Sequence, residues 1–229
     1  SENGQHELAG RIFRQEDYPS WLYSVKMGAT TIWERWNSIL PDGSFDESGM
    51  NSLNHYAYGS IEEWMYRKLA GINQLEPGFR RIQIKPMPVK GITRAKASLK
   101  SAYGMLECAW ICENGKFTVD LHIPVNTRAE VYLPEKDEML ELGSGSYHYV
   151  YDTTLDLTAD RFSTESTLGQ ILQEPAAVEM LEGLAPGMLD NPMIGFAKNM
   201  SIGELSGQMP PEGKALFEAV ITMLNENEG

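Results

Sequence analysis

The sequence predicts a mixed α and β protein with several domains, because the spacing of its apolar residues changes twice along the 229 residues. Residues 1–76 have helical spacing, residues 77–160 alternate with a period of two, and residues 161–229 return to short helical segments. We therefore expect a helical N-terminal region, then an antiparallel β-sandwich, then a small acidic helical bundle.

Within residues 1–76, the stretch Ser52–Ala70 is predicted to form one helix that ends near Gly71. Its apolar residues have the spacing of one helix face: Leu53, Ala57, Ile61, Trp64 and Leu69. A second face of this helix would carry polar and aromatic groups, namely Asn51, Asn54, His55 and Tyr58. A surface helix would place charges there instead, so the pattern is not that of an ordinary surface helix.

Residues 77–160 are predicted to form strands. Lys116–Ile123 alternates apolar and polar residues without a break, and Asn114-Gly115 before it is a strong signal for a two-residue hairpin turn. Further strands are expected at Arg80–Lys85, Arg94–Ser101, Tyr103–Cys112, Ala129–Leu133, Met139–Leu142 and Tyr147–Tyr151.

The last region is predicted to consist of four or five short helices. Thr167–Gln170 and Ser201–Glu204 have the pattern of capping boxes, which satisfy free amides at a helix start. The expected core includes Phe196 and Phe217. Residues 163–229 hold two lysines, ten acids and six of the twelve methionines. A packed structural cap is the simplest interpretation, while acidity and adaptable Met side chains also suit a surface for a protein partner.

Bulk composition excludes several function classes. A net charge of −13 argues against nucleic acid and against an anionic membrane surface as partners. There is no run of about eighteen apolar residues, so no membrane span is expected. The expected location is cytoplasmic, although an export signal would lie in sequence before Ser1.

No cofactor or metal site is expected from the sequence. Cys108 and Cys112 lie four residues apart in a predicted strand, so their Cα atoms would be roughly 13 Å apart, too far for a disulfide. We interpret both as buried free thiols. The sequence has no nucleotide-phosphate loop and no clustered metal ligands.

The strongest chemical signal is a carboxylate between two indoles. Glu34 stands between Trp33 and Trp36 in the segment Gly28–Trp36, and aromatic faces beside an acid suit a sugar ring and its hydrolysis. Three plainer explanations stay open, and the first is that Glu34 pairs with Arg35 at a surface. Thr31–Glu34 is itself a capping-box pattern, and tryptophans at helical spacing more often pack in a core.

A second signal is His55 with the amide of Asn54 beside it. An imidazole could donate a hydrogen bond to a sugar hydroxyl or orient a water molecule. A lone histidine is more often structural, and its polar neighbours bring the two interpretations close to equal.

At Gly28–Trp36 and Gly49–Gly59 the chain resembles the C-terminal part of bacterial alpha-L-rhamnosidases, the inverting glycoside hydrolases of family 78. The resemblance extends over roughly residues 10–155. It implies hydrolysis of terminal alpha-L-rhamnosyl residues in an (α/α)6 toroid that is followed by a β-sandwich. It implies that Glu34 is the general base and that His55 lines the sugar pocket, with Trp33, Trp36 and Asn54 as weaker pocket candidates.

The resemblance also predicts what the 229 residues do not supply. In this family the general acid comes from an earlier part of the toroid, and two or three helices cannot close a twelve-helix ring. We therefore expect a C-terminal fragment that needs the remainder of the catalytic domain as its partner. By itself the chain is expected not to hydrolyse its substrate, a rhamnose-containing glycoside or oligosaccharide.

Two other functions compete with this one. Another sugar-cleaving toroid, such as an alpha-L-fucosidase or a disaccharide phosphorylase, would have the same architecture. A non-catalytic carbohydrate-binding module would need exposed aromatic residues on a sheet face, for which the candidates are Tyr103, Trp110, Tyr132 and Tyr149.

Overall fold

The computed structural model describes residues 1–47, 49–159, 161–164 and 166–226, and its chain divides into two compact units, Ser1–Thr158 and Ala159–Gly229. The fold is mixed α and β, as predicted. A further boundary inside the first unit, near residue 76, stays a prediction.

The first unit begins with helical elements and long loops. Helix α1 spans His6–Arg14 and α2 spans Trp21–Lys26, which Ser20 caps by accepting a hydrogen bond from the Tyr23 amide. After the loops come a 3₁₀ turn, Tyr56–Tyr58, and α3, Ile61–Trp64, which continues as a π-helix over Met65–Leu69.

The predicted helix over Ser52–Ala70 is wrong in its first half. Residues before Ile61 lie in a loop and the short 3₁₀ turn, because the amides of Ser52 and His55 donate to Glu34 and Ile32 rather than to a preceding helical turn. The helical face predicted for Asn51, Asn54, His55 and Tyr58 therefore does not exist.

Eight strands follow, and most lie where the sequence predicts them. They are β1 Ile72–Gln74, β2 Arg81–Ile84, β3 Arg94–Ser101, β4 Gly104–Glu113, β5 Lys116–Ile123, β6 Arg128–Tyr132, β7 Met139–Leu142 and β8 Gly145–Asp152. The hairpin turn at Asn114-Gly115 is confirmed, because both residues have positive φ, 52° and 68°, as a type I′ turn requires. A 3₁₀ turn, Pro77–Phe79, joins β1 to β2.

The strands form two four-stranded sheets, in the orders β1-β2-β6-β7 and β3-β4-β5-β8. The second sheet is antiparallel throughout. The first is mixed, because β2 and β6 pair in parallel, with Ile82 beside Ala129. The prediction of a purely antiparallel region is therefore wrong for this sheet, since the order of distant strands leaves no trace in local periodicity.

Buried side chains from both sheets form one hydrophobic core, with Ile82 and Val131 from one sheet and Trp110 and Phe117 from the other. Both cysteines are buried free thiols, as predicted. Burial raises the pKa of the Cys108 thiol to about 12. Two of the aromatic candidates for a sugar-binding sheet face, Trp110 and Tyr149, pack in or against this core.

The helical and stranded parts of the first unit are joined by hydrogen bonds. The Trp110 indole donates to the Leu69 carbonyl over 2.8 Å, and the Met87 amide donates to the Lys68 carbonyl over 2.9 Å. His6 Nε2 donates to the Met87 carbonyl over 2.8 Å. The chain from α1 to β8 is therefore one folded body.

The second unit is helical and has its own core. Its helices are α4 Leu168–Ile171, α5 Pro175–Leu184, α6 Met193–Ala197, α7 Ile202–Gly207 and α8 Pro211–Glu226. Both predicted capping boxes are confirmed, at Thr167 and Gln170 and at Ser201 and Glu204. Phe217 is buried as expected, but Phe196 is 81% exposed, so its place in the predicted core is wrong.

Among the described residues, no helix combines the length and the apolar character that a membrane span needs.

Candidate active site

Two loops carry the predicted site residues, and backbone hydrogen bonds hold them side by side. The Glu34 amide donates to the Ser52 carbonyl over 2.9 Å, and the His55 amide donates to the Ile32 carbonyl over 2.8 Å. The Thr31 hydroxyl adds a bond to the Leu53 carbonyl. Glu34 and His55, which are 21 positions apart in sequence, are thereby placed on neighbouring loop segments.

Glu34 is half-buried, and one of its carboxylate oxygens is fixed. Oε2 accepts a hydrogen bond from the Ser52 amide over 2.8 Å, whereas Oε1 has no hydrogen bond to any described residue. No helix begins at Thr31, so the alternative of a Thr31–Glu34 capping box is wrong. The carboxylate therefore has one oxygen anchored by Ser52 and one without a hydrogen-bond partner in the part of the chain that the structure describes.

His55 is exposed and has a defined hydrogen-bonding direction. Its Nδ1 accepts from the Ala57 amide over 3.3 Å. A neutral imidazole that accepts at Nδ1 carries its proton on Nε2, so Nε2 is a donor that faces outward from this bond. Asn54 is also exposed, and its backbone amide donates to the Ser52 hydroxyl over 3.2 Å.

The two tryptophans beside Glu34 differ in environment. Trp33 is 4% exposed, so little of its indole is available to a ligand. Trp36 stacks on Tyr58 with ring centroids 3.7 Å apart, and Trp21 meets it edge-on at 5.1 Å. Burial of Trp33 and the ring contacts of Trp36 give both tryptophans a packing function. A direct role of Trp33 or Trp36 in sugar binding stays a prediction.

Several residues that support the loops were not identified from the sequence. Asn51 Nδ2 donates to the Ser38 carbonyl over 2.9 Å. Asp46 accepts a hydrogen bond from the Asn37 side-chain amide and lies 3.6 Å from the Arg35 guanidinium. Asp42 is the turn former of that loop, and hydrogen bonds from Ser44 lower the pKa of its carboxyl. The partners of Asp46 and Asn51 lie nine and thirteen positions away, and pairs at such separations have no signature in local sequence.

The arrangement offers a proton acceptor and a hydrogen-bond donor on adjacent loops. Oε1 of Glu34 can take a proton from a water molecule, and Nε2–H of His55 can bind a hydroxyl group. The described residues contain no cluster of three or more His, Cys, Asp or Glu side chains that could hold a metal ion.

Comparison with known proteins gives two family matches that are adjacent in sequence. Residues 1–69 match the bacterial alpha-L-rhamnosidase 6 hairpin glycosidase domain, and residues 71–147 match the bacterial alpha-L-rhamnosidase C-terminal domain. The first match contains Glu34 and His55, and the second covers β1 to β7 and the start of β8.

Individual relatives agree with these matches. An alpha-L-rhamnosidase of Streptomyces avermitilis is 43% identical over 134 residues, which are 58% of this chain and 13% of that protein. The crystal structure of an alpha-L-rhamnosidase from Aspergillus terreus is similar with a TM-score of 0.62 and 40% identity, over 65% of this chain and 18% of the other.

A Streptomyces avermitilis alpha-L-rhamnosidase solved in complex with L-rhamnose is similar with a TM-score of 0.59 and 37% identity, over 66% of this chain and 16% of the other. The chain thus spans less than one fifth of the length of these relatives. Residues 1–147 correspond to the C-terminal part of such enzymes, and the chain belongs to the bacterial alpha-L-rhamnosidase family.

Proposed function

We propose that this chain supplies the general base and part of the sugar pocket for the inverting hydrolysis of terminal alpha-L-rhamnosides. The observation that carries the proposal is the Glu34 carboxylate, whose Oε2 is held by the Ser52 amide while no described residue forms a hydrogen bond to Oε1. A base held in this way keeps a constant orientation, because rotation about its last torsion would break the bond to Ser52.

The proposed chemistry follows from these two atoms and from His55. Oε1 accepts a proton from a water molecule as the water attacks the anomeric carbon from the face opposite the leaving oxygen. The attack inverts that carbon, so the first product is β-L-rhamnose. His55 Nε2–H donates to a hydroxyl of the rhamnosyl ring and fixes its orientation.

An inverting enzyme also needs a carboxylic acid that protonates the leaving oxygen, usually about 6.5–9.5 Å from the base. We propose that the remainder of the catalytic domain supplies this acid, and that residues 1–76 complete its (α/α)6 toroid, with a β-sandwich following. Large apolar side chains are exposed along the helices and loops before residue 52: Leu8, Ile12, Tyr18, Val25, Ile32, Phe45 and Met50. So much unpartnered apolar surface is typical of an interface.

The test is Glu34→Gln in the alpha-L-rhamnosidase polypeptide that contains this chain. Gln keeps the bond from the Ser52 amide but cannot take a proton from water, so kcat for an aryl alpha-L-rhamnoside should fall by about 10²–10⁴. Glu47→Gln is the matched control, because Glu47 is an exposed acid of the neighbouring loop and should leave kcat unchanged.

Two further readouts separate a base from a merely structural carboxylate. Glu34→Ala should regain turnover with added azide, which attacks without a base, and the product should be β-L-rhamnosyl azide. The 229-residue chain by itself should show no turnover. An active Glu34→Gln enzyme, an α-configured azide product, or Glu34-dependent hydrolysis by the isolated chain would each contradict the proposal.

A further inference from the structure

A groove of about 640 Å³ lies in the first unit, next to the loops of the candidate site. Residues from the helix Ile61–Leu69, from strands β1 and β3, and from the 3₁₀ turns 56–58 and 77–79 line it. Its first residue, Tyr56, directly follows His55 in the chain. One lining residue of the groove is therefore the immediate sequence neighbour of the histidine that we assign to the rhamnose pocket.

Two tyrosines give the groove oriented aromatic rings. The Tyr66 hydroxyl donates to the Ser98 carbonyl over 2.9 Å, which fixes that ring against β3. The Tyr56 ring lies so close to Gly59 that a Cβ at position 59 would be 2.6 Å from it, although 73% of Tyr56 is exposed. The side chain is thus oriented by the backbone while much of its surface stays open to a ligand.

A third ring is held in an unfavourable backbone conformation. Phe79 has φ of 65°, in the left-handed region that bulky residues avoid. It lines the same groove, whose apolar residues also include Ile72 and Leu99. Non-glycine residues kept in such conformations are concentrated at ligand-binding sites.

The polar residues of the groove are partly engaged and partly free. Arg67 bonds to Glu63 over 2.7 Å and to Asn73 over 3.2 Å, so these groups form a fixed network. Glu62 and Gln74 both line the groove. Within the described residues, the Glu62 carboxylate and the Gln74 side-chain amide have no hydrogen-bond partner. The charged residues that line the groove are Glu62, Glu63 and Arg67, so the groove has a net negative charge.

We infer that this groove binds an uncharged sugar unit of the glycan that carries the terminal rhamnose, on the leaving-group side of the bond. The assignment to the leaving-group side rests on the proposed function. Aromatic rings suit the apolar faces of a sugar, while Glu62 and Gln74 can bind its hydroxyl groups. The negative charge disfavours a uronic acid or a sulfated sugar.

The test measures binding to the 229-residue chain by calorimetry, without turnover. The probe is an uncharged trisaccharide with a non-reducing terminal alpha-L-rhamnosyl residue. The comparators are L-rhamnose and a trisaccharide that has a uronic acid next to the rhamnose. The uncharged trisaccharide should bind about tenfold more tightly than either comparator, since it alone places a neutral ring against the aromatic residues.

Tyr56→Ala and Phe79→Asn should each weaken binding of the uncharged trisaccharide by about fivefold to tenfold. Asn tolerates the left-handed conformation, so Phe79→Asn removes the ring without imposing a new backbone. Phe196→Ala, in the second unit, is the control for loss of an exposed aromatic residue and should change nothing.

Equal affinity for the trisaccharide and L-rhamnose would overturn the inference. So would unaltered binding by Tyr56→Ala and Phe79→Asn, or no detectable binding of the trisaccharide at its solubility limit. Because no step of the assay requires hydrolysis, failure of Glu34 as the base would leave a positive binding result intact. The two proposals can therefore fail separately.

Discussion

The loops over residues 28–58 and the strands over residues 72–157 are ordered by different forces. Of the loop residues that the structure describes, only Trp33 and Ser38 are buried, whereas the strands contribute most of the core of the first unit. The loops are held by hydrogen bonds such as those between Glu34 and Ser52. The candidate catalytic residues therefore lie in loops that bury few side chains, whereas the two sheets bury most of the apolar side chains that stabilise the first unit.

Replacement of one tryptophan in each region gives the largest test of this difference. Trp110→Ala removes an indole that is 1% exposed and packs against Phe117, so it should reduce the free energy of unfolding by about 3–5 kcal/mol. Trp36→Ala removes a half-buried ring with two aromatic contacts and should reduce the free energy of unfolding by about 1–2 kcal/mol.

Urea titration followed by tryptophan fluorescence is the appropriate measurement, because all five tryptophans lie before residue 159 and report on the first unit. Equal losses for Trp110→Ala and Trp36→Ala would show that the loops depend on burial as much as the strands do.

A titration of the core thiol gives the next largest effect. Burial raises the pKa of Cys108 from 9.0 to about 12, so the unfolded chain loses this proton first as the pH rises. The unfolded state is then favoured, and stability should fall between about pH 9 and pH 12, by roughly 1 kcal/mol per pH unit.

The measurement is the urea midpoint against pH for the wild type and for Cys108→Ala. Tyrosines and lysines titrate in the same window in both proteins, so the difference between the two curves isolates the thiol. A difference that does not change between pH 8 and pH 11 would contradict the buried position of this group.

Glu34→Gln is expected to have the smallest effect on stability, although its expected effect on activity is the largest. Glu34→Gln keeps an oxygen that accepts from the Ser52 amide, so the free energy of unfolding should change by less than about 0.5 kcal/mol. Glu34→Ala removes that acceptor and should cost about 1 kcal/mol. If both variants unfolded at the wild-type urea concentration, the Glu34–Ser52 bond would have no stabilising role.

Local patterns in the sequence predicted the strands well. Lys116–Ile123 alternates because one face of β5 is buried, and Asn114-Gly115 forms the turn because both residues tolerate positive φ. Thr167 and Ser201 cap their helices as their spacing predicts. In each case the residues that decide the structure lie within a few positions of one another.

Prediction failed where distant segments decide the structure. Asn51, Asn54 and His55 have helical spacing, but the Ser52 and His55 amides bond to the loop around Glu34 instead. The parallel pairing of β2 with β6 and the short strand β1 depend on non-local contacts as well. For the candidate site, the sequence identified Glu34 and His55 as residues of interest. The Ser52 anchor and the Nδ1 bond to Ala57 depend on the backbone path of the folded loops, which local patterns do not specify.

The hydrogen bond from the Trp110 indole to the Leu69 carbonyl has a consequence for how this family can be dissected. It crosses the boundary between the two family matches, which falls at residue 70, as does the bond from Met87 to Lys68. A gene truncation that removes the segment before residue 71 would leave the Trp110 indole without its acceptor in the core. Within this chain, the two halves are therefore better exchanged between relatives as one cassette than grafted separately.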